Sequence, residues 1–518
     1  MQGGAAAVDV LFGHALFMAL DPKQAALQRP YPPLGTLYAA AVAREAGWRV
    51  ALFDAMLAPG PAAFGPALAT HRPRAVVLFE DSFNFYSKMC LAVMRDAALA
   101  MVRQAAADGR PVVVAGSDAS DDPAAFLAAG ATAVAVGEAD WTVGEALAAL
   151  LGTPGGADPS GSTADRLAAV AGLVVAGPDG QPVRTAPRPT EREPDRFPPP
   201  ARDLLDVDAY RAIWRAAHGQ WSINAVATRG CPFHCNWCAK PIWGQRYAMR
   251  AATAVADELA AIRRDLAPDH VWFVDDIFGL RADWTAAFGQ AVADRGAALP
   301  FTIQSRVDLI TDAAADGLAR AGCAEVWLGV ESGSQAVLDA MDKGIRVDDV
   351  PDAVARLRRR GIRVAFFLQL GYPGEGWDDI AATAALVRST LPDAIGVSVS
   401  YPLPGTPFHR RVADQLAAEH HWRDSTDLAM LFAGSYTTPF YRALHAQLHR
   451  ELDARHAVRR AAADGDAAAA AAAAAEVDAA MAAWDALAAA APASRHAAPT
   501  RLPVVAPSPP PDLSRPAG

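Results

Sequence analysis

The chain is predicted to be an α/β protein. It should hold an N-terminal doubly wound, Rossmann-like domain, then a partial (β/α)6 barrel, then a helical C-terminal region. Three observations carry this reading. Short apolar runs alternate with longer helical stretches over residues 8–150 and again over 221–410, the pattern of buried parallel strands with crossover helices. Gly, Pro, Ser and Asp crowd 152–165, and six prolines fall between Pro187 and Pro200, which separates the two halves as a linker would. Hydrophobic residues make up 52 % of 518 and charged residues 20 %, enough for two or three proper cores.

In the first half the apolar runs are 8–12, 49–53, 75–79, 112–115 and 133–136. Helices are expected over 34–46, 61–70, 87–107 and 123–129. Ligands on such sheets bind at the carboxyl ends of the strands. Those ends carry Tyr31-Pro-Pro-Leu-Gly-Thr-Leu-Tyr, Gly116-Ser-Asp-Ala-Ser and Gly137-Glu-Ala-Asp-Trp-Thr. After the third run comes Glu80-Asp-Ser-Phe-Asn-Phe-Tyr-Ser-Lys-Met-Cys. There Asp81, Asn84 and Tyr86 are candidates for contact with a ligand, or else form a helix cap and an aromatic core cluster. Cys90, Cys323 and His14 read as packing or loop residues. The expected units are 1–150, a linker over 151–215 with one hairpin near 172–183, a barrel over 216–410, helices over 411–460 and an Ala/Pro-rich tail over 461–518. The tail reads as disordered low complexity, with 464–491 a possible helix and 422–441 and 440–457 helical before it.

In the second half, strands are expected at 222–227, 270–274, 300–304, 325–330, 363–370 and 394–400. Helices fall between them, for example over 251–265, 350–360 and 377–390. Six strand–helix units make a partial barrel whose strand ends build the site.

Just after the first of these strands stands Arg229-Gly-Cys-Pro-Phe-His-Cys-Asn-Trp-Cys-Ala-Lys. It holds three of the chain's five cysteines, Cys231, Cys235 and Cys238. Three thiolates are one short of a closed zinc site. A zinc reading needs His234 as fourth ligand, strained by its place directly before Cys235. An iron–sulfur reading leaves one iron open.

Through Cys-x3-Cys-x2-Cys the chain resembles the radical S-adenosylmethionine (radical SAM) enzymes, over about residues 30–410. The resemblance implies a 4Fe-4S cluster on Cys231, Cys235 and Cys238, with the open iron chelating S-adenosylmethionine and an electron cleaving it to a deoxyadenosyl radical. Trp237 matches the family's aromatic before the last cysteine. The resemblance further implies cofactor contacts from Asp275 and Asp276, from Ser305 and Arg306, from Glu331 and Ser332, and from Gly371, each at a strand end. Pro402-Leu-Pro-Gly-Thr-Pro after the sixth strand is similar to a loop of the cobalamin-dependent subgroup. The first half is similar to the cobalamin-binding domain preceding many such barrels. Its matching residues are Pro33, Leu34 and Gly35; Gly116, Ser117 and Asp118; and Gly137 and Glu138. The Asp-x-His-x-x-Gly signature is absent, since Phe12 stands two before His14, so a histidine-ligated cobalt is not expected.

The expected function is thus a radical enzyme that uses cobalamin to methylate an unactivated carbon of a small-molecule or lipid-like substrate. One alternative is a cobalamin-dependent oxidative cyclase or rearrangement enzyme. Another, from a different class, is a non-catalytic iron–sulfur sensor. Trp243, Tyr247, Phe367, Tyr372 and Tyr401 are equally explained as a lining for an apolar substrate or as core. A flavodoxin- or ferredoxin-like electron donor is the expected partner. The net charge of −10 and the lack of a basic patch argue against nucleic acid. No signal peptide and no run of about 18 uncharged apolar residues is evident, so the expected place is the cytoplasm.

Overall fold

The computed structural model describes residues 8–500 apart from 84–85, 157–158, 241, 417–420 and 498. The candidate Asn84 and the tail beyond Thr500 lie outside the described residues.

In the first half five strands are parallel: β1 (Val10–His14), β2 (Val50–Phe53), β3 (Ala75–Phe79), β4 (Val112–Ala115) and β5 (Ala133–Ala135), in the order β2-β1-β3-β4-β5. Side chains alternate between two covered faces. Leu11, Val76, Leu78 and Val114 pack under the helix Ala92–Ala107. Val10, Phe12, Val77 and Val113 pack under Leu34–Glu45 and Asp140–Leu151. Burial on both faces is why these runs are continuously apolar rather than alternating.

The linker expectation is corrected. The hairpin β6 (Leu173–Ala176) and β7 (Pro182–Arg184) joins the same sheet, with β6 antiparallel to β5 through Val134 and Val174. The first domain therefore runs past 150 to Arg184. Leu173 and Val174 are as buried as any core strand residue, and that burial holds the hairpin on the sheet edge. Another helix, Val207–His218, also falls in this region and buries Tyr210 and Trp214. His14, expected in a loop, ends β1 and is fully buried.

The second half begins with β8 (Ser222–Ala225) and a small antiparallel hairpin, β9 (Thr228–Gly230) with β10 (Tyr247–Met249). Then follow β11 (His270–Phe273), β12 (Phe301–Ser305), β13 (Cys323–Glu331), β14 (Arg363–Leu370) and β15 (Ala394–Val399). With β8 these form a six-stranded parallel sheet in chain order, a half-barrel. Outward positions such as Ile303, Val326, Leu328, Val364 and Phe366 are buried. Inward positions such as Trp272, Gln304, Trp327, Phe367 and Ser398 stay half-buried. The concave face is thus mostly polar or aromatic and partly accessible, with Thr302, Ala365 and Gln369 buried within it.

The C-terminal part differs from expectation in two places. Residues 421–437 form no helix. Instead Trp422 pairs its backbone with Cys90 and Ala92, at 2.9 and 2.7 Å, and tethers this segment to the first domain. The tail, read as disordered apart from a helix offered over 464–491, contains the helix Ala467–Ala490, packed on Thr438–Asp464 through Ala473, Ala480 and Trp484. Trp484 donates to Glu451 at 2.6 Å, and Glu451 also pairs with Arg388. Glu451 and the Trp484 ring supply the anchoring that the alanine-rich composition concealed. Ala467–Ala490 is also long and apolar enough, by length and composition, to cross a membrane.

Candidate active site

The three cysteines lie on the segment between β9 and β10, at the carboxyl end of β8. Three anchors fix this segment. Asp275, after β11, is buried and accepts from the Ala227 N–H at 3.0 Å and from the Thr228 hydroxyl. Burial raises its pKa to about 7 against these hydrogen bonds. Arg229 is gripped by Glu138 and Asp140 of the first domain, with Asp140 at 2.8 Å, and its guanidinium lies 4.0 Å over the Phe197 ring. Burial works against its charge, yet the two acids raise its pKa further. Asn236 donates to Ala340 O at 2.8 Å and accepts from Tyr372 at 2.9 Å, which ties the loop to the barrel.

Cys231 and Cys235 pack beside Phe233, Tyr247, Ile277 and Leu280. Burial pushes the Cys231 thiol up and that of Cys238 up to about 12, while the Lys240 charge works the other way on both. Four cations ring the loop. Arg306 stands 4.0 Å from Cys235 Sγ and 3.7 Å over the Phe233 ring. Lys343, beside Cys235, pairs with Glu331 at 2.7 Å in a buried contact. Lys240 holds Phe233 O, and Lys88 of the first domain holds Asp276 at 2.5 Å. Among the described residues no group of three or more His, Cys, Asp or Glu side chains is arranged to hold a single ion. His234 directly precedes Cys235, which strains it as a fourth ligand to one zinc ion, whereas three thiolates suffice for an iron–sulfur cluster with one open iron. A donor set of three thiols fringed by cations suits an anionic iron–sulfur cluster with one open iron.

The other expected cofactor residues divide. Trp237 packs on the core with its indole N–H unpartnered, and so has a donor to offer. Arg306 borders Cys235 but spends its guanidinium on Asp308, Lys343 O and Gly344 O, and Glu331, paired with Lys343, ends β13 in a left-handed conformation, φ 64°. Asp275 is instead occupied with the loop backbone. Ser305 donates to Phe278 O at 3.2 Å, and Ser332 faces Thr383 at 3.2 Å. Gly371 donates to the buried Glu375 at 2.6 Å. Sequence reasoning missed Gln369, whose buried side-chain oxygen on β14 has no partner. A lone amide inside the apolar run 363–370 was the available signal. Arg229 was also missed, although it adjoins the motif.

At the first domain's strand ends the expected corrinoid residues are largely engaged with protein. Leu34 packs with Val226 and Val274 between the two domains, and Pro32 O accepts from Asn224 at 2.8 Å. Gly35 faces the Phe79 ring. Gly116, at φ 137°, is pressed by Glu80, whose carboxylate would lie 2.2 Å from an added Cβ. Asp118, on the helix Ser117–Asp121, pairs with Arg95 at 2.5 Å and His421 at 2.9 Å. Glu138 holds Arg229. Gly137, at φ 76°, faces Ile242 O, which would lie 3.6 Å from an added Cβ, so the end of β5 looks onto the cysteine segment. His14 has Asp54 at 2.9 Å and the Ala55 N–H at 3.0 Å on Nε2, and the Leu16 N–H at 3.4 Å on Nδ1; neither nitrogen is left for cobalt. Of the two other loop candidates in the described residues, Tyr86 donates to Arg29 O at 2.7 Å. Burial raises the Asp81 pKa to about 6, with His14 acting the other way. Among the aromatics read as a possible substrate lining, Phe367 faces the open concave side. Trp243, Tyr372 and Tyr401 hydrogen-bond to Glu138, Asn236 and Asp427 O, and Tyr247 is buried.

Residues 226–387 match the model of the Radical SAM superfamily. An uncharacterized methyltransferase of Pyrococcus horikoshii is 27 % identical over 244 residues, 47 % of this chain and 52 % of that protein. The chain spans about half the length of the curated relatives it matches. Among solved structures, the fold resembles the cobalamin-dependent S-adenosylmethionine radical enzyme OxsB with aqua-cobalamin and S-adenosylmethionine bound. The TM-score is 0.67 at 15 % identity, covering 87 % of this chain and 67 % of that one. It also resembles the radical S-adenosylmethionine methyltransferase TsrM from Kitasatospora setae, with cobalamin and a [4Fe-4S] cluster bound. Here the TM-score is 0.61 at 18 % identity, covering 79 % and 75 %. At these identities the likeness speaks for the fold.

Proposed function

We propose that this chain, whose residues 226–387 match the Radical SAM superfamily, acts as a radical SAM enzyme that works with cobalamin to methylate an unactivated carbon of a small-molecule or lipid-like substrate. The observation that carries this reading is the Arg229 grip. It presses the three-cysteine segment against the strand ends of a doubly wound domain through Glu138 and Asp140, so two cofactor-sized regions would share one barrel mouth. Cys231, Cys235 and Cys238 would hold the cluster, which supplies the electron for reductive cleavage of S-adenosylmethionine. Trp237 and Gln369, with an unpartnered buried donor and acceptor, would orient S-adenosylmethionine, while Arg306 and Glu331 would contribute charge from their places at the ends of β12 and β13. The corrinoid would lie over the small residues Gly35 and Gly137, with no imidazole from His14. Trp272, Trp327 and Phe367 on the concave face would favour an apolar or flat substrate. An external flavodoxin- or ferredoxin-like donor would supply electrons.

The test is anaerobic reconstitution of the full chain, with iron, corrinoid and deoxyadenosine measured together. A product heavier by one methyl supports methyl transfer; a product with no added methyl points to cyclisation or rearrangement. No corrinoid after reconstitution would remove cobalamin from the proposal and leave the radical chemistry. Cys235→Ala should lose both the cluster absorbance and deoxyadenosine; persistence of either refutes the thiolate assignment.

A further inference from the structure

Lys88 belongs to the first domain but ends at the cysteine segment. It sits in the loop after β3 at φ 53°, and its Nζ is 2.5 Å from Asp276 Oδ1, beyond β11. Asp276 directly precedes Ile277, which with Leu280 packs against Cys231 and Cys235, so the Lys88–Asp276 pair stands beside the cysteine segment. Cys238 and Cys231 favour the charged form of Lys88, and Asp276 adds to the burial that pushes the same two thiols up. The resemblance gave Asp276 to S-adenosylmethionine; here it holds a lysine from the other domain.

We propose that Lys88 is a positioning residue for the cluster's electron: its ammonium, fixed by Asp276, stabilises the reduced cluster from the first domain's side. This rests on the cluster assignment made above. Three thiolates around a four-iron core make an anionic site, and reduction adds one more negative charge. A fixed cation beside such a site favours reduction and a fixed carboxylate opposes it. Unpaired, Asp276 would resist the incoming electron; with Lys88 in place its charge is offset. Arg306, Lys240 and Lys343 serve the same end from the barrel side. Lys88 differs in its origin, because its charge stays beside the cluster only while the first domain is docked. The redox step is an electron transfer alone: an external low-potential donor loses one electron, the cluster gains it, and no bond forms or breaks.

The test uses the full chain reconstituted anaerobically with iron and sulfide. Midpoint potentials are read by EPR during titration with titanium(III) citrate and mediator dyes. Lys88→Gln should move the midpoint to more negative values, Asp276→Asn to more positive values, and Lys88→Arg should leave it near that of the unaltered chain. Opposite signs are the signature of a charge effect. If the two residues were only a structural latch, breaking it from either side would act in the same direction or not at all, and either result overturns the proposal. Should Lys88→Gln fail to take up iron, the Asp276→Asn and Lys88→Arg pair still decides, since a midpoint that does not rise in Asp276→Asn refutes it. Iron content of the unaltered chain separates the two levels of argument. No iron there defeats the cluster assignment itself, whereas iron with unmoved midpoints defeats only the role of Lys88.

Discussion

Replacing Arg229 with Met should weaken the joint between the two domains by about 3–5 kcal/mol. The size follows from burial. The Arg229 side chain is 10 % exposed, with Glu138 at 4 % and Asp140 at 11 %, so removing the cation strands two carboxylates out of water. Glu138 keeps the Trp243 indole N–H at 3.3 Å and the Glu191 N–H at 2.5 Å, which places the loss toward the lower end of that range. Met retains an aliphatic stem beside Phe197, so the change removes charge more than volume. The pair Arg346–Asp348, at 3.5 Å with side chains 72 % and 85 % exposed, is the control. Arg346→Met should cost less than about 1 kcal/mol. Urea unfolding of both variants, followed by limited proteolysis across 185–220, reads the effect; several transitions are expected in a chain of this organisation. Adding Glu138→Gln and Asp140→Asn to Arg229→Met should recover part of the loss. If Arg229→Met unfolds within about 0.5 kcal/mol of the control, the three groups do not form the joint and the argument from burial fails.

Gly116→Ala should destabilise the first domain, because its Cβ would meet the Glu80 carboxylate at a positive φ of 137°; a thermal midpoint equal to that of the parent would contradict this. Glu375 has its pKa raised by burial from 4.5 to about 8, with the Gly371 hydrogen bond pulling the other way. A raised folded-state value means the stabilising contribution is full below about pH 4.5 and is lost as pH climbs through about 8. Glu375→Gln should therefore flatten the decline between pH 5 and 8 in urea midpoints, and an unchanged slope would count against it. Trp484→Ala should cost about 3–5 kcal/mol by undocking Ala467–Ala490, seen as new chymotrypsin cleavage at Leu487 while the sheet regions stay protected.

Much of this molecule is legible in its amino-acid order. The apolar run 363–370 and the helix 377–390 agree with the folded elements to the residue, because both patterns are local. What the sequence does not disclose is non-local. Glu138 is named through the likeness of Gly137-Glu-Ala-Asp-Trp-Thr to a cobalamin-binding domain, and the arginine that it holds, Arg229, lies 91 residues further on. Asp275 read as a cofactor contact, but its carboxylate closes the turn from β8 to β9. The hairpin near 172–183 is legible in its turn residues, but its pairing with β5 is not, since sheet-edge pairing leaves little periodic trace over three or four residues. Residues 422–441 have helix-like composition, yet Trp422 spends its backbone on the first domain. Over 464–491 the sequence offers a helix but not its docking, which rests on Ala473, Ala480 and Trp484.

The half-barrel divides its labour between its two walls. Ile303, Val326, Leu328 and Val364 face outward and are buried, so they carry folding stability. Gln304, Trp327, Phe367 and Ser398 face inward and stay half-buried, so exchanging them perturbs little of the core. A lineage could thus retune what the barrel accepts by changing its inner wall, with the scaffold and the cysteine segment left intact. Directed libraries aimed at those four inward positions should yield folded protein far more often than libraries aimed at their outward neighbours.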